Sequence, residues 1–488
     1  MRVLFVYSDI SGEERYGAKK FYSGLGSLSA VLRAAGHETR LLYLGREVGR
    51  EEFLAQVREA APDLVGFSAT THQYPYIERY AGYLKEAEPG LVLVCGGTHA
   101  TLVPEEVVAS SAFDAVCVGE GEYPLRELAE RLEAGRDYAD VQNLWLRRKG
   151  EVIRNPLRPL IANLDELPYA DRELFGYDEL LAANDGWVDM LSGRGCPYQC
   201  SYCCNPALRA CFKGLGQYVR FRSVGHVLGE LRALRARYPI KTVNFQDDVF
   251  TLDREWTLAF CRAYGAEFDY PFWINARVER ILDEELVRAL AEAGCAGVRI
   301  GIENGNEALR ATVLKRKMSN AEILAAGKLL RRYNLKLYTC NMIGIPGETP
   351  ETIEETIALN RQLRPDEFQF SVFYPYPLTE LYDLCVAQGL IKPGARLSSY
   401  YSKESVLDLP TLSAEELAKG YERFEALQAE LALARSSPFK HRVYTWLLKL
   451  YGGDGARLQR HWNTLRRLRH KLSEGGRRAL YYLRIGRK

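Results

Sequence analysis

One pattern constrains this chain more than any other, and it occurs twice: short, almost wholly apolar runs alternate with segments of helical spacing. In the first third the runs are "VLFVYS", "TRLLYL", "LVGFSATT", "LVLVCGG" and "DAVCVGEGE". Between them lie amphipathic stretches such as "GLGSLSAVLRAAGHE" and "YIERYAGYLKEAEP". Strands this apolar belong to parallel sheets whose two faces are both covered by helices. The expectation for residues 1–145 is therefore a doubly wound, Rossmann-like α/β domain. A second series follows with "WVDMLSG", "KTVNFQDD", "PFWINAR", "GVRIGIEN", "LKLYTCNMIGIPGE" and "EFQFSVFYP", each next to a helical segment. Six β/α units predict a partial (β/α)6 barrel over 186–390. The proline- and charge-rich stretch 146–185 reads as a linker, and 391–488 as a helical region with a basic tail. A chain of 488 residues is long enough for two or three domains.

In folds of both kinds, ligands meet the carboxyl ends of the strands. In the first series those ends carry Ser68 and Thr70, then Gly96, Gly97, Thr98 and His99, then Gly119, Glu120 and Gly121. Small residues there let backbone approach a large ligand, although tight turns also call for glycine. In the second series the ends carry Asp247, Asp248, Asn275, Arg277, Glu303 and Glu348.

The barrel begins with "SGRGCPYQCSYCCN", in which Cys196, Cys200 and Cys203 are spaced C-x3-C-x2-C. Eleven cysteines, an odd number spread along a long chain, suit a reducing compartment better than a disulfide scaffold. The N-terminus lacks the features of a signal peptide, and no apolar run approaches the roughly 20 residues of a membrane span. A cytoplasmic location is expected. Three clustered thiolates on an iron–sulfur cube would leave one iron open, which marks a catalytic metal rather than a structural one. The plainer alternative is zinc completed by Cys204, Cys211 or a histidine, but C-x3-C-x2-C is not a usual zinc spacing.

These residues resemble the radical S-adenosylmethionine (SAM) enzymes. The resemblance implies that Cys196, Cys200 and Cys203 hold a 4Fe–4S cluster whose open iron takes the amino and carboxylate groups of SAM. It implies that Tyr202 packs beside the adenine, that Asp247 or Asp248 of "FQDD" holds the SAM amino group, and that Glu303 of "GIEN" meets the ribose. "IGIPGE", with Gly344 and Gly347, resembles the glycine-rich strand end beside the adenine; "LKRKMS" and "TPETIEET" follow the same pattern. Such enzymes use an electron from the cluster to cleave SAM, giving a radical that takes hydrogen from an unactivated carbon. That electron comes from an external donor such as a flavodoxin or ferredoxin.

The first domain, through "GLGSLSAVLRAAGHE", "VGFSATT", "CGGTHATLVPEEVV" and "DAVCVGEGEYPLREL", is similar to the cobalamin-binding domain that precedes the barrel in one branch of this family. With the linker phrase "LDELPYADREL", the resemblance covers about residues 1–390 and implies bound cobalamin. Two departures stand out. Mutase-type cobalamin domains carry D-x-H-x-x-G after the first strand, and "YSDISGEERYG" has no histidine there; His72 or Tyr74 of "TTHQYPY" could approach the lower face instead. "YPYPLTELY" has Leu378 where the family usually has glycine.

The resemblance implies a cobalamin-dependent methyltransferase, or a cyclase or rearrangement enzyme of the same layout, acting on a small-molecule or lipid substrate. A non-catalytic cobalamin or nucleic-acid binder is the contrasting class, and no recognised nucleic-acid motif supports the latter. From Arg435 onward there are 15 Lys and Arg against Asp454 and Glu474, so the tail holds about +13 and the remainder about −11. With Tyr444, Trp446, Trp462, Tyr481 and Tyr482 interleaved, the tail suits either a helical cap on the barrel or a helix lying in a membrane interface.

Overall fold

The computed structural model describes residues 1–10, 20–148, 150–395, 403–436, 442–444 and 446–447. The basic tail beyond Leu447, and most of the loop that lacks the histidine, lie outside the described residues.

The first domain is a seven-stranded sheet of β1 (Arg2–Ser8), β2 (Glu38–Leu44), β3 (Leu64–Ser68), β4 (Val92–Gly96), β5 (Ala115–Cys117), β6 (Leu144–Arg148) and β7 (Glu151–Arg154). Its order is β2-β1-β3-β4-β5-β6-β7. The first five strands are parallel, and β6 and β7 are added antiparallel. The apolar runs account for the parallel part: Phe5, Leu64, Val65, Leu93 and Val116 are buried, as crossover helices on both faces require. The hairpin β6–β7 occupies the start of the stretch expected to be linker. In β6, Leu144 and Leu146 are buried while Arg147 is exposed, an alternation too short to stand out among charges.

The barrel strands are β8 (Trp187–Met190), then, after the pair β9 (Gly193–Arg194) and β10 (Arg220–Phe221), β11 (Thr242–Phe245), β12 (Phe272–Ala276), β13 (Cys295–Glu303), β14 (Lys336–Ile343) and β15 (Glu367–Val372). They form one six-stranded sheet ordered β15-β14-β13-β12-β11-β8, with every neighbour parallel. The sheet is open between β15 and β8. The helix Ala414–Ser436 covers the β15 side, burying Phe424, Leu427 and Leu431 against Phe368 and Phe370. Covering an edge in this way removes a template for unwanted pairing.

The two domains share one apolar core. Phe5, Phe21 and Leu25 of the first pack in a continuous cluster with Phe175 and Tyr177 of the connecting segment and with Val188, Leu231 and Phe245 of the barrel.

Candidate functional site

The cysteine loop is anchored before it begins. Asp247, at the end of β11, is buried and its carboxylate accepts from Ser192 N (3.0 Å), Ser192 Oγ (2.8 Å) and Gly193 N (2.7 Å). Burial pushes this carboxyl up to about 6, against the pull of those donors. Gly195 has φ +88°, and a Cβ there would lie 2.4 Å from the Tyr218 carbonyl oxygen, so no other residue fits the turn into Cys196.

Cys196 and Cys200 are buried and Cys203 is half-buried. Cys200 Sγ accepts from Arg277 Nη1 (3.5 Å) and Arg316 Nη1 (3.7 Å). Cys203 Sγ accepts from Asn205 N (3.5 Å) and Asn205 Nδ2 (3.6 Å). The neighbouring Cys204 thiol, donating to Cys203, pulls it down to about 6 together with Asn205, whereas burial pushes Cys196 up to about 11. Among the described residues no three His, Cys, Asp or Glu side chains converge as one metal ion requires. Thiolates on a cube each meet a different iron, so they need not share a centre.

Around this loop stand the other residues expected at the barrel mouth. Asp248 is exposed and accepts one hydrogen bond, from Asn205 Nδ2 at 3.2 Å. Of the "FQDD" pair it is the one with free oxygens, because Asp247 is spent on the backbone of the cysteine loop. Glu303 ends β13 with φ +67°, a left-handed conformation rare outside glycine. Its Oε1 lies 3.9 Å from Arg316 Nη1. Arg316 also donates to the Tyr202 hydroxyl (3.3 Å) and the Gly301 carbonyl (2.6 Å), and burial pushes the Tyr202 phenol well above its usual value. Gly344 and Gly347 flank a turn held by buried Glu348, whose carboxylate accepts from Gly344 N, Ile345 N and Asn304 Nδ2. Sequence reasoning did not single out Arg316. Its signal was the "LKRKMS" segment, whose spacing from "GIEN" returns the guanidinium to the cysteines.

The second part of the site is a cavity of about 290 Å³, open to solvent, between the first domain and the barrel entry. Phe5, Gly66, Val94 and Leu125 give it an apolar interior, and Ser68, Gly96, Gly97, Gly119, Glu120 and Gly121 line it at the strand ends. Thr70, Thr98 and His99 do not line it. Thr70 Oγ1 meets His72 Nδ1 at 2.9 Å, Thr98 opens the helix Thr98–Leu102, and His99 is buried 4.3 Å from the Tyr74 ring. Burial holds both His72 and His99 down at about 4, in the neutral form. Glu120 turns toward the barrel: it pairs with Arg194 (2.7 Å) and Arg220 (3.0 Å) and accepts from Ile161 N. Arg194 also pairs with Glu122 at 2.6 Å. The two arginines lie opposite each other in the β9–β10 register and Arg194 is two residues before Cys196, so one ionic joint links the cavity rim to the cysteine loop.

Comparison with known proteins agrees with this geometry. The B12 binding domain family matches residues 22–129, and the Radical SAM superfamily matches residues 190–359. An uncharacterized methyltransferase of Pyrococcus horikoshii is 29% identical over 399 residues, 81% of this chain and 85% of that one. The anaerobic magnesium-protoporphyrin IX monomethyl ester cyclase of Rubrivivax gelatinosus is 26% identical, over 78% of this chain and 69% of that one. Among solved structures, the radical S-adenosylmethionine methyltransferase TsrM of Kitasatospora setae, with tryptophan and a SAM analogue bound, superposes with a TM-score of 0.66 at 20% identity, covering 86% of this chain and 83% of that one. This chain thus carries a B12-binding domain ahead of a radical SAM barrel, the layout of the cobalamin-dependent radical SAM enzymes.

Proposed function

We propose that this protein is a methyltransferase that holds an iron–sulfur cluster, SAM and cobalamin and acts on an unactivated carbon. The observation that carries the reading is the ionic joint Arg194–Glu120–Arg220, which sets a three-cysteine loop beside a cavity of the B12-binding domain. Cys196, Cys200 and Cys203 would hold the cluster. Asp248, Glu303, Tyr202, Gly344 and Gly347 would meet SAM, and Ser68, Gly96, Gly97, Gly119 and Gly121, which line the cavity, would meet cobalamin. When bound, these groups supply a hydrogen-abstracting radical and a transferable methyl group.

The chain's own residues have three tasks. Arg277 and Arg316 aim their guanidinium donors at Cys200 Sγ and so fix the position of that sulfur. Asp247 fixes the backbone entering the cysteine loop. The apolar core shared by the two domains holds the cavity and the cysteine loop in one fixed arrangement. Electrons would come from an external donor such as a flavodoxin or ferredoxin, and the location consistent with the cysteine content is the cytoplasm. Among the described residues no helix is long and apolar enough to cross a membrane.

The test is product mass. Anaerobic incubation of the reconstituted protein with methyl-labelled SAM and candidate substrates is expected to give a product heavier by one CH2 group carrying the label. An isomer or a dehydrogenated product would instead establish the cyclase reading that the Rubrivivax relative favours.

A further inference from the structure

A closed β/α barrel is filled by branched apolar side chains stacked in layers. The inward face of this open one is different. Residues pointing outward from its strands, such as Val243, Ile274, Val298, Ile300 and Leu337, are fully buried under the helices. Their inward neighbours are polar or aromatic and reach one another across the strands. Arg299 Nη1 donates to Asn244 Oδ1 at 2.7 Å, and Asn244 Nδ2 donates to Asp189 Oδ1 at 2.6 Å. Gln246 Nε2 also donates to Asp189 Oδ1, at 3.0 Å. The Arg299 guanidinium lies 5.0 Å over the Trp273 ring, whose centre is 6.1 Å from that of Trp187. Gln246 and Gln369 are exposed, and Asp189, Arg299, Tyr338 and Cys340 are only half-buried. Solvent therefore reaches the inside of the barrel, and what lines it is hydrogen-bonding rather than aliphatic.

Within this lining Arg299 lacks a counter-ion. Among the described residues no carboxylate lies within ion-pair distance of it; Asp189 and Glu367 act on it only from farther away. Of these two acids, Asp189 already accepts from Asn244 and Gln246. Burial without a counter-ion holds the guanidinium below the usual arginine value. A partly desolvated cation in this condition gains most from an anion that can take its fork of donors.

We infer that Arg299 is a substrate-binding residue inside the barrel, and that the substrate is a water-soluble molecule carrying a carboxylate or phosphate, not a lipid. The anionic group meets the guanidinium, while a flat or polar portion lies along Trp273 and Trp187. At about 3.3 Å per residue, the four residues from Arg299 to Glu303 put this anion roughly 13 Å below the rim. The substrate's reacting carbon then faces the mouth, where the cysteine loop, Asp248 and Glu303 are. This assignment rests on the reading of that mouth as the reacting end, which the proposed methyl transfer requires.

The test is binding, measured without turnover, on the cluster- and cobalamin-loaded protein by saturation-transfer NMR titration. The probes are benzoate, phenyl phosphate, neutral benzamide of the same shape, and farnesol as an apolar alcohol. At least one of the two anions is expected to bind about tenfold or more tightly than benzamide, and which one does so separates carboxylate from phosphate recognition. Arg299→Gln should abolish that preference, and Arg299→Lys should restore part of it. Equal binding of benzoate, phenyl phosphate and benzamide to the unmodified protein would overturn the inference whatever the variants do. So would tighter binding of farnesol than of either anion, or an anion preference that survives in Arg299→Gln. Because no SAM is consumed, a protein that fails to methylate can still pass, and one that methylates can still fail.

Discussion

Glu120 sits between the guanidiniums of Arg194 and Arg220 with 17% of its side chain exposed. Burial alone would raise its carboxyl, but the hydrogen bond from Arg220 and the charges of both arginines outweigh that and hold it below the ordinary 4.5. A carboxyl lowered by folding contributes stability that is complete above its unfolded value and is lost as pH falls through the folded one. Acid below about pH 4.5 is therefore expected to loosen the joint between the domains. Glu120→Gln should cost about 2–4 kcal/mol at neutral pH, because it leaves two guanidiniums undercompensated. Near-UV circular dichroism during acid titration checks both: the wild type should show a step below pH 4.5 that the variant lacks. Leu378 holds a left-handed backbone, with φ +59° and 46% exposure. Its left-handed backbone explains why glycine suits this position, and Leu378→Gly is expected to raise stability by up to about 1 kcal/mol in thermal unfolding. The individual roles of residues were only partly legible in the sequence. The spacing of Cys196, Cys200 and Cys203 is local, so it could be read directly. The division of labour between Asp247 and Asp248 depends on which of them faces the Ser192–Gly193 backbone, 55 residues away in sequence, and no periodicity reports that.

Among the elements, the parallel strands of the first sheet stood out through their nearly continuous apolar runs. The six of the barrel, polar on the inward face, stood out through their repeated alternation with helical segments. The hairpin β6–β7 is an edge addition with one solvated face, so its charges hid it. The helix Ala414–Ser436 could be expected as a helix, but its partner could not. Phe424 is fully buried and stacks on Phe370 with ring centres 4.9 Å apart, a contact made across more than fifty residues of chain. Phe424→Ala should cost about 3–5 kcal/mol and expose the β15 edge. Denaturant unfolding measures the loss, and amide exchange should rise on β15 rather than on β8. Gly97 tests the first domain in the same way. It has φ +96°, and a Cβ there would lie 2.7 Å from the Ala69 carbonyl oxygen. Gly97→Ala is expected to destabilise the turn by about 2 kcal/mol or more and to weaken cobalamin retention in gel filtration, since Gly97 lines the cavity.

At the scale of the whole molecule, a single apolar core runs from β1 through the connecting segment into the barrel, and the ionic joint of Glu120 lies between the cavity and the cysteine loop. Such a layout makes sense for two cofactors that must act on one substrate at a fixed separation. The two domains were legible separately, each from its own strand pattern. Their common core was not, because it is made by contacts such as Phe21 with Phe175, whose ring centres are 5.0 Å apart although they lie far apart in sequence. The measurement that tests this account most directly is cofactor content after anaerobic reconstitution with iron, sulfide and hydroxocobalamin, followed by gel filtration. The account predicts about four iron, four sulfide and one cobalamin per chain, with iron and sulfide lost but cobalamin kept when Cys196, Cys200 and Cys203 are all changed to alanine. A protein that takes up iron and sulfide but retains no cobalamin, or that keeps its full iron without those three cysteines, would contradict it.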